Sequence, residues 1–212
     1  DGSVVPGHAD EISGLPALSF AELFAQHSLV MAPTELSATA PLKVATREAG
    51  VGPDGFRAAT MPGFLPSMIP ALRLDYEEIN RRVNFLKTLL DRSEQADFVF
   101  EVEGTEHRLT LDLRGNPGHA SGGLFPDNGI AGNLPSGEAY IVPYEGNLTM
   151  DRSLSAGTLP VQIGDEVVLY RIEENKAVEI LTEGKASAEE ARHIAAEPAY
   201  ANLAELGLGV LG

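Results

Sequence analysis

The chain has 212 residues, 43% of them hydrophobic and 22% charged, with 15 Lys+Arg against 31 Asp+Glu and a formal net charge of −16. A chain of this length buries roughly 70% of its unfolded surface, so a core forms without a disulfide or a metal. There is no Cys, which excludes disulfide scaffolds, thiolate zinc sites, iron–sulfur clusters and cysteine nucleophiles, and fits a reducing compartment. The acidic balance opposes nucleic-acid and anionic-membrane partners, which are held by Lys and Arg. It suits a divalent cation or a peptide amine better, although acidic surfaces also simply keep proteins soluble. No apolar run approaches the ~18 residues of a membrane span, and no basic-then-apolar leader is read at the start.

In chain order, Ser19 and Glu22 have capping-box spacing and predict a short helix to about His27. Leu29 to Met31 reads as a buried strand. Thr39 is a candidate cap for a second helix, with Pro41 in its first turn and Gly50 closing it. Phe56 to Thr60 reads as a strand, and Met61 to Pro70, with Pro62, Pro66 and Pro70, as a linker. Asp75 with Glu78 starts the clearest helix, and Tyr76, Ile79, Val83, Leu86 and Leu90 share its apolar face.

Beyond Ala96 the apolar period changes from helical to two. Phe98, Phe100 and Val102, then Leu109, Leu111 and Leu113, flank Gly104 as a β-hairpin. Glu138 to Pro143 and Val161 to Ile163 read as strands, and Val167–Ile172 with Ala177–Leu181 as a second hairpin around Glu174-Asn175. Ser187 with Glu190 predicts a last helix ending before Pro198. The reading is therefore mixed α/β: a small α/β part over 1–70, then a strand-rich part over 71–212 with antiparallel hairpins.

Between Arg114 and Gly137 lies a glycine-rich segment with almost no periodicity, and long unstructured loops in compact domains are usually either functional or disordered. It contains His119, Asp127 and Asn133 and runs into Glu138, so a carboxylate follows a loop whose backbone can approach a ligand closely. A surface loop with an ion-paired Glu138 fits the same pattern. His119 has no second His at ligand spacing, His107 and His193 read as structural, and His8 and His27 lie in no motif. No H-E-x-x-H, G-x-S-x-G or G-K-[ST] occurs. Gly207 to Gly212 matches G-x-G-x-x-G only formally, without the helix that dinucleotide binding needs. Asn147-Leu148-Thr149 is a glycosylation sequon in form alone.

Asn133-Leu134-Pro135-Ser136-Gly137-Glu138-Ala139-Tyr140, followed by Val142-Pro143, resembles the G-N-L-P-x-G-E segment of metallo-aminopeptidases of the aminopeptidase T type. Asn202 to Gly209 is similar to that family's N-x-A-E-x-G-x-G phrase, and the resemblance is best over 76–212. It implies a metal-dependent, cytoplasmic, dimeric hydrolase of N-terminal peptide bonds. Glu138 and Glu205 would each give one ligand to a centre of zinc, cobalt or manganese that activates water. The family's other ligands, a His, a Tyr and a His-x-Asp pair, follow the second phrase. Only three residues follow Gly209 here, so the resemblance implies a part of a longer protein or a non-catalytic remnant. Iron-dependent dihydroxypyridine ring-opening dioxygenases look related in fold but use a His/His/Asp triad, in which Glu138 and Glu205 would not be ligands. A binding module of the same fold is the third reading.

Overall fold

The structure is a computed structural model that describes residues 27–146 and 151–211. The helix expected over Ser19–His27 and the sequon at Asn147 therefore fall almost wholly outside the described residues. The fold is mixed α/β with antiparallel hairpins, and the chain forms two compact units. Among the described residues, one comprises 27–83, 121–138 and 209–211, the other 84–120, 139–146 and 151–208.

In the first unit, β1 (Leu29–Ala32), α1 (Thr39–Ala49) and β2 (Arg57–Thr60) form a βαβ turn, and β6 (Ala131–Asn133) adds a third parallel strand in the order β1-β2-β6. Parallel neighbours need a crossover, and α1 supplies it. Leu42, Phe56 and Ala58 form the buried cluster, joined by Val30, Ala32, Ala38, Ala45 and Ala131. β1 differs from the buried strand expected, because it lies at the sheet edge and alternates exposed with half-buried positions.

Thr39 is the first residue of α1 rather than its cap; Ala38 takes the cap position, and the Thr39 hydroxyl donates to Asn133 Oδ1 at 2.8 Å. Pro41 sits in the first turn, where a missing N–H costs nothing. Gly50 ends the helix at φ 82°, its N–H bound to Thr46 O at 3.1 Å.

The expected linker is partly a helix: Pro66–Arg73 closes as a 3-10 helix with Pro66 opening it. The fixed φ of proline suits the start of such a short helix, and the Tyr76 hydroxyl holds its end by donating to Ala71 O at 3.1 Å. α2 (Tyr76–Leu90) follows, with Asp75 Oδ1 accepting the N–H groups of Glu77 and Glu78 at 3.1 Å each. Ile79, Val83 and Leu90 are buried and Tyr76 and Leu86 half-buried, as the apolar spacing predicts. Glu78 pairs with Arg81 and then Arg82, which hold its carboxyl down to about 2.

The second unit is built on an antiparallel sheet in the order β10-β9-β8-β4-β3. β3 (Gln95–Val102) and β4 (Thr105–Asp112) pair in full register around Glu103 and Gly104, both at positive φ, the signature of a type I′ hairpin. β8 (Ala156–Ile163) starts five residues before the Val161 expected, and pairs β9 (Glu166–Glu173) along its whole length. β9 and β10 (Lys176–Ile180) turn at Glu174 and Asn175, again both at positive φ.

Leu109, Leu111, Leu113, Val168 and Ile172 are buried, so the alternation read from the sequence gives the inner face. The Asp112 side chain is 1% exposed and binds the Arg114 guanidinium through both oxygens. Burial pushes its carboxyl up, but the Arg114 fork and the N–H groups of Leu154 and Arg114 outweigh that and hold it below its usual value.

α3 (Lys185–Ala196) packs against β9 and ends before Pro198, as expected. Its start differs: Gly184 is the cap, and Ser187 lies inside the helix with its hydroxyl 3.0 Å from that of Thr182. Glu190 therefore does not close a capping box; it accepts the Tyr170 hydroxyl at 2.9 Å. β5 (His119–Ser121), β7 (Glu138–Ile141) and β11 (Leu206–Gly209) form a third sheet in the order β11-β7-β5.

Candidate functional site

The segment from Arg114 to Gly137 has more structure than its lack of periodicity suggests. It contributes β5 and β6, which are too short at three residues each to show a period. Its anchors are local polar bonds. The Gly118 N–H donates to Asp91 Oδ1 at 2.9 Å, and the Asp91 carboxyl is held low first by Lys87, then by that N–H, with a smaller pull from His119. The Ser121 and Ser136 hydroxyls are 2.6 Å apart, and Ser136 Oγ also bonds Ser121 O at 2.8 Å. The Leu134 N–H donates to Thr60 O at 3.0 Å.

Two glycines have identifiable reasons. Gly123, at φ 70°, lies against the Tyr76 ring, where an added Cβ would come within 2.3 Å of a ring carbon. A Cβ on Gly137 would come within 2.5 Å of the Leu211 side chain. The residue before Glu138 is thus a point of close approach between backbone and side chain.

Glu138 is half-buried and opens β7, whose Ala139 and Ile141 are buried. Strand alternation puts Glu138 and Tyr140 on the opposite face from those two. Tyr140 stacks on His119, with ring centroids 4.9 Å apart and planes at 24°. His119 is exposed and has an aromatic neighbour instead of a second imidazole. Asp127 and Asn133 are exposed, and Asn133 is engaged with Thr39. His107 is half-buried on β4, while His193 is exposed on α3 with Glu190 at 3.4 Å.

Glu205 lies immediately before β11 and is exposed. Its apolar neighbours Leu203 and Leu206 are half-buried. The two phrases that carry Glu138 and Glu205 become hydrogen-bonded neighbours, β7 and β11, and the Val210 N–H donates to Gly137 O at 2.8 Å. Glu138 belongs to the first compact unit and Glu205 to the second.

Carboxylate oxygens suit a divalent ion, and a catalytic zinc takes three protein ligands. Among the described residues no group of three or more His, Asp or Glu converges to hold one. Glu138 and Glu205 are thus not part of such a group among the described residues. The contacts of Asn175 to the Asn202 phrase leave no signal in the sequence beyond an Asn in a hairpin turn.

No family model and no curated protein matches the chain. Its fold is similar to the solved structure of 2,5-dihydroxypyridine dioxygenase from Pseudomonas putida KT2440. The TM-score is 0.64 and the identity 19%, over 86% of this chain and 50% of that one. Wild-type AmpT from Thermus thermophilus also matches, at a TM-score of 0.44 and 16% identity over 72% of this chain and 44% of that one, too low to carry an argument. The chain thus spans about half the length of the solved structures it matches. The first likeness establishes a shared fold and says nothing further about activity. No helix among the described residues is long and apolar enough to cross a membrane.

Proposed function

We propose that the chain carries part of the site of a metal-dependent hydrolase acting on N-terminal peptide bonds, with Glu138 and Glu205 as two of its carboxylate ligands. The supporting observation is that β7 and β11, the strands of these two phrases far apart in sequence, are neighbours in one sheet, with residues 139–141 and 206–208 in the same compact unit. Zinc, cobalt or manganese would supply a hydroxide nucleophile at neutral pH when bound. The further donors come from outside the described residues. In this reading the protein is cytoplasmic and dimeric, takes peptide substrates, and binds neither nucleic acid nor membrane.

The test is metal content. Full-length protein dialysed against zinc, cobalt or manganese should keep at least one ion per chain, and E138Q and E205Q should each weaken retention by about tenfold or more. Less than one ion per chain in the unaltered protein overturns the proposal.

A second reading, an iron-dependent dihydroxypyridine ring-opening dioxygenase, is favoured by the fold likeness at a TM-score of 0.64. It expects oxygen uptake by iron-loaded protein given 2,5-dihydroxypyridine, and unchanged iron content in E138Q and E205Q. A protein silent in both assays is left as a binding module of the same fold.

A further inference from the structure

Asn175 is fully buried although it sits in a two-residue hairpin turn, a position that is ordinarily exposed. Its φ of 68° is the left-handed conformation that the turn demands, and glycine would meet that demand equally well. The side chain must therefore answer to something other than the turn. Its Nδ2 donates to Leu203 O at 2.9 Å and, more weakly, to Asn202 Oδ1 at 3.4 Å. Its backbone O accepts the Leu203 N–H at 3.0 Å, and its own N–H reaches Ser155 O at 3.3 Å. Lys176, the next residue, forms an antiparallel bridge with Asn202. Asn202 is held from its other side too, donating through Nδ2 to Glu145 Oε1 at 2.5 Å.

Asn175 Oδ1, by contrast, has no hydrogen-bond partner among the described residues. A buried acceptor left without a partner is destabilising. The group of this amide that is engaged is its donor, and the donor goes to the phrase that carries Glu205. All of these residues belong to the same compact unit.

We propose that Asn175 is a positioning residue: its side chain latches Asn202 and Leu203 to the β9–β10 turn and so fixes where Glu205, two residues on, is presented. This rests on the reading of Glu205 as a metal ligand, but the latch is a separate physical statement with its own readout. Holding a short coil segment ahead of its ligand removes conformational freedom that binding would otherwise have to remove.

The experiment compares full-length N175G with the unaltered protein, because glycine keeps the turn and deletes only the amide. The first readout is amide exchange at Asn202 and Leu203, whose N–H groups are bound to Ala199 O and Asn175 O. We expect exchange there to rise at least tenfold, with the β8–β9 amides unchanged. The second is zinc affinity, which should fall about tenfold in N175G but show no further fall when N175G is added to E205Q.

Unchanged exchange at Asn202 and Leu203 overturns the latch. Raised exchange with unchanged zinc affinity overturns the positioning of Glu205. Should the unaltered protein hold no zinc, the metal reading fails by itself, and the exchange measurement still decides the latch. N175D, which keeps the side chain's size but removes the Nδ2 donor, should reproduce the exchange result if N175G folds poorly; normal protection in N175D counts against the latch.

Discussion

The parallel sheet β1-β2-β6 and the antiparallel sheet β10-β9-β8-β4-β3 bury their apolar residues in different ways. The first takes three- and four-residue strands from around 30, 58 and 132, and half of its edge strand β1 is exposed, with Leu29 and Met31 at 50% each. The second uses eight-residue strands for four of its five members, joined mainly by tight hairpins, and buries Leu109, Leu111, Val168 and Ile172. A long alternating strand specifies its own register, since a one-residue slip would turn every buried side chain to solvent. A three-residue strand carries too little pattern for that and depends on its connections, here α1 and the bonds of the 114–137 segment.

The contrast is open to direct attack. The largest effect should follow Ile172→Ala, which opens a cavity at a 1% exposed position on an interior strand and should cost about 4 kcal/mol in urea unfolding. Leu42→Ala, at 2% exposure but facing mostly Ala and Val in a small cluster, should cost about 2–3 kcal/mol. If both cost the same, the two cores are equally well packed and the contrast fails.

A pH experiment sharpens the antiparallel side. Burial, and then the hydrogen bond and charge of Glu190, push the Tyr170 phenol from 10.0 up to about 12. Above 10 the unfolded Tyr loses its proton while the folded one keeps it, so the unfolded state gains. Stability should be complete below pH 10 and decline as pH rises towards 12. Tyr170→Phe should abolish that decline, and a decline that survives the substitution assigns it to another group.

The smallest effect tests the turn. Gly104 has φ 79° with nothing within 4 Å of an added Cβ, so Gly104→Ala is penalised by backbone strain alone, about 1 kcal/mol by thermal unfolding. A neutral result would mean that the hairpin does not need its left-handed turn.

What could be read in advance follows from the same contrast. The β3–β4 and β9–β10 hairpins were legible because their apolar residues alternate and their turns carry Gly104 and Asn175. The α2 face was legible because Ile79, Val83 and Leu90 recur at helical spacing. The 3-10 helix of Pro66–Arg73 was hidden by prolines that also mark loops, and Ser187 with Glu190 mimicked a cap that Gly184 provides. For the candidate site, the phrases carrying Glu138 and Glu205 were legible as a resemblance. Their pairing as β7 and β11 was not, because hydrogen bonding between distant strands leaves no local trace.

The sequence by itself determined the acidic character, the absence of thiol chemistry, the mixed α/β class and the elements long enough to repeat a period. Those are sums over residues or patterns within one segment, and they need no knowledge of what lies across space. Only the tertiary structure decided that β6 joins β1 and β2, that Glu205 is exposed, and that a turn asparagine is buried against the phrase containing it. Burial and hydrogen-bond partners depend on which segments meet, and short segments meet according to the energy of the whole fold.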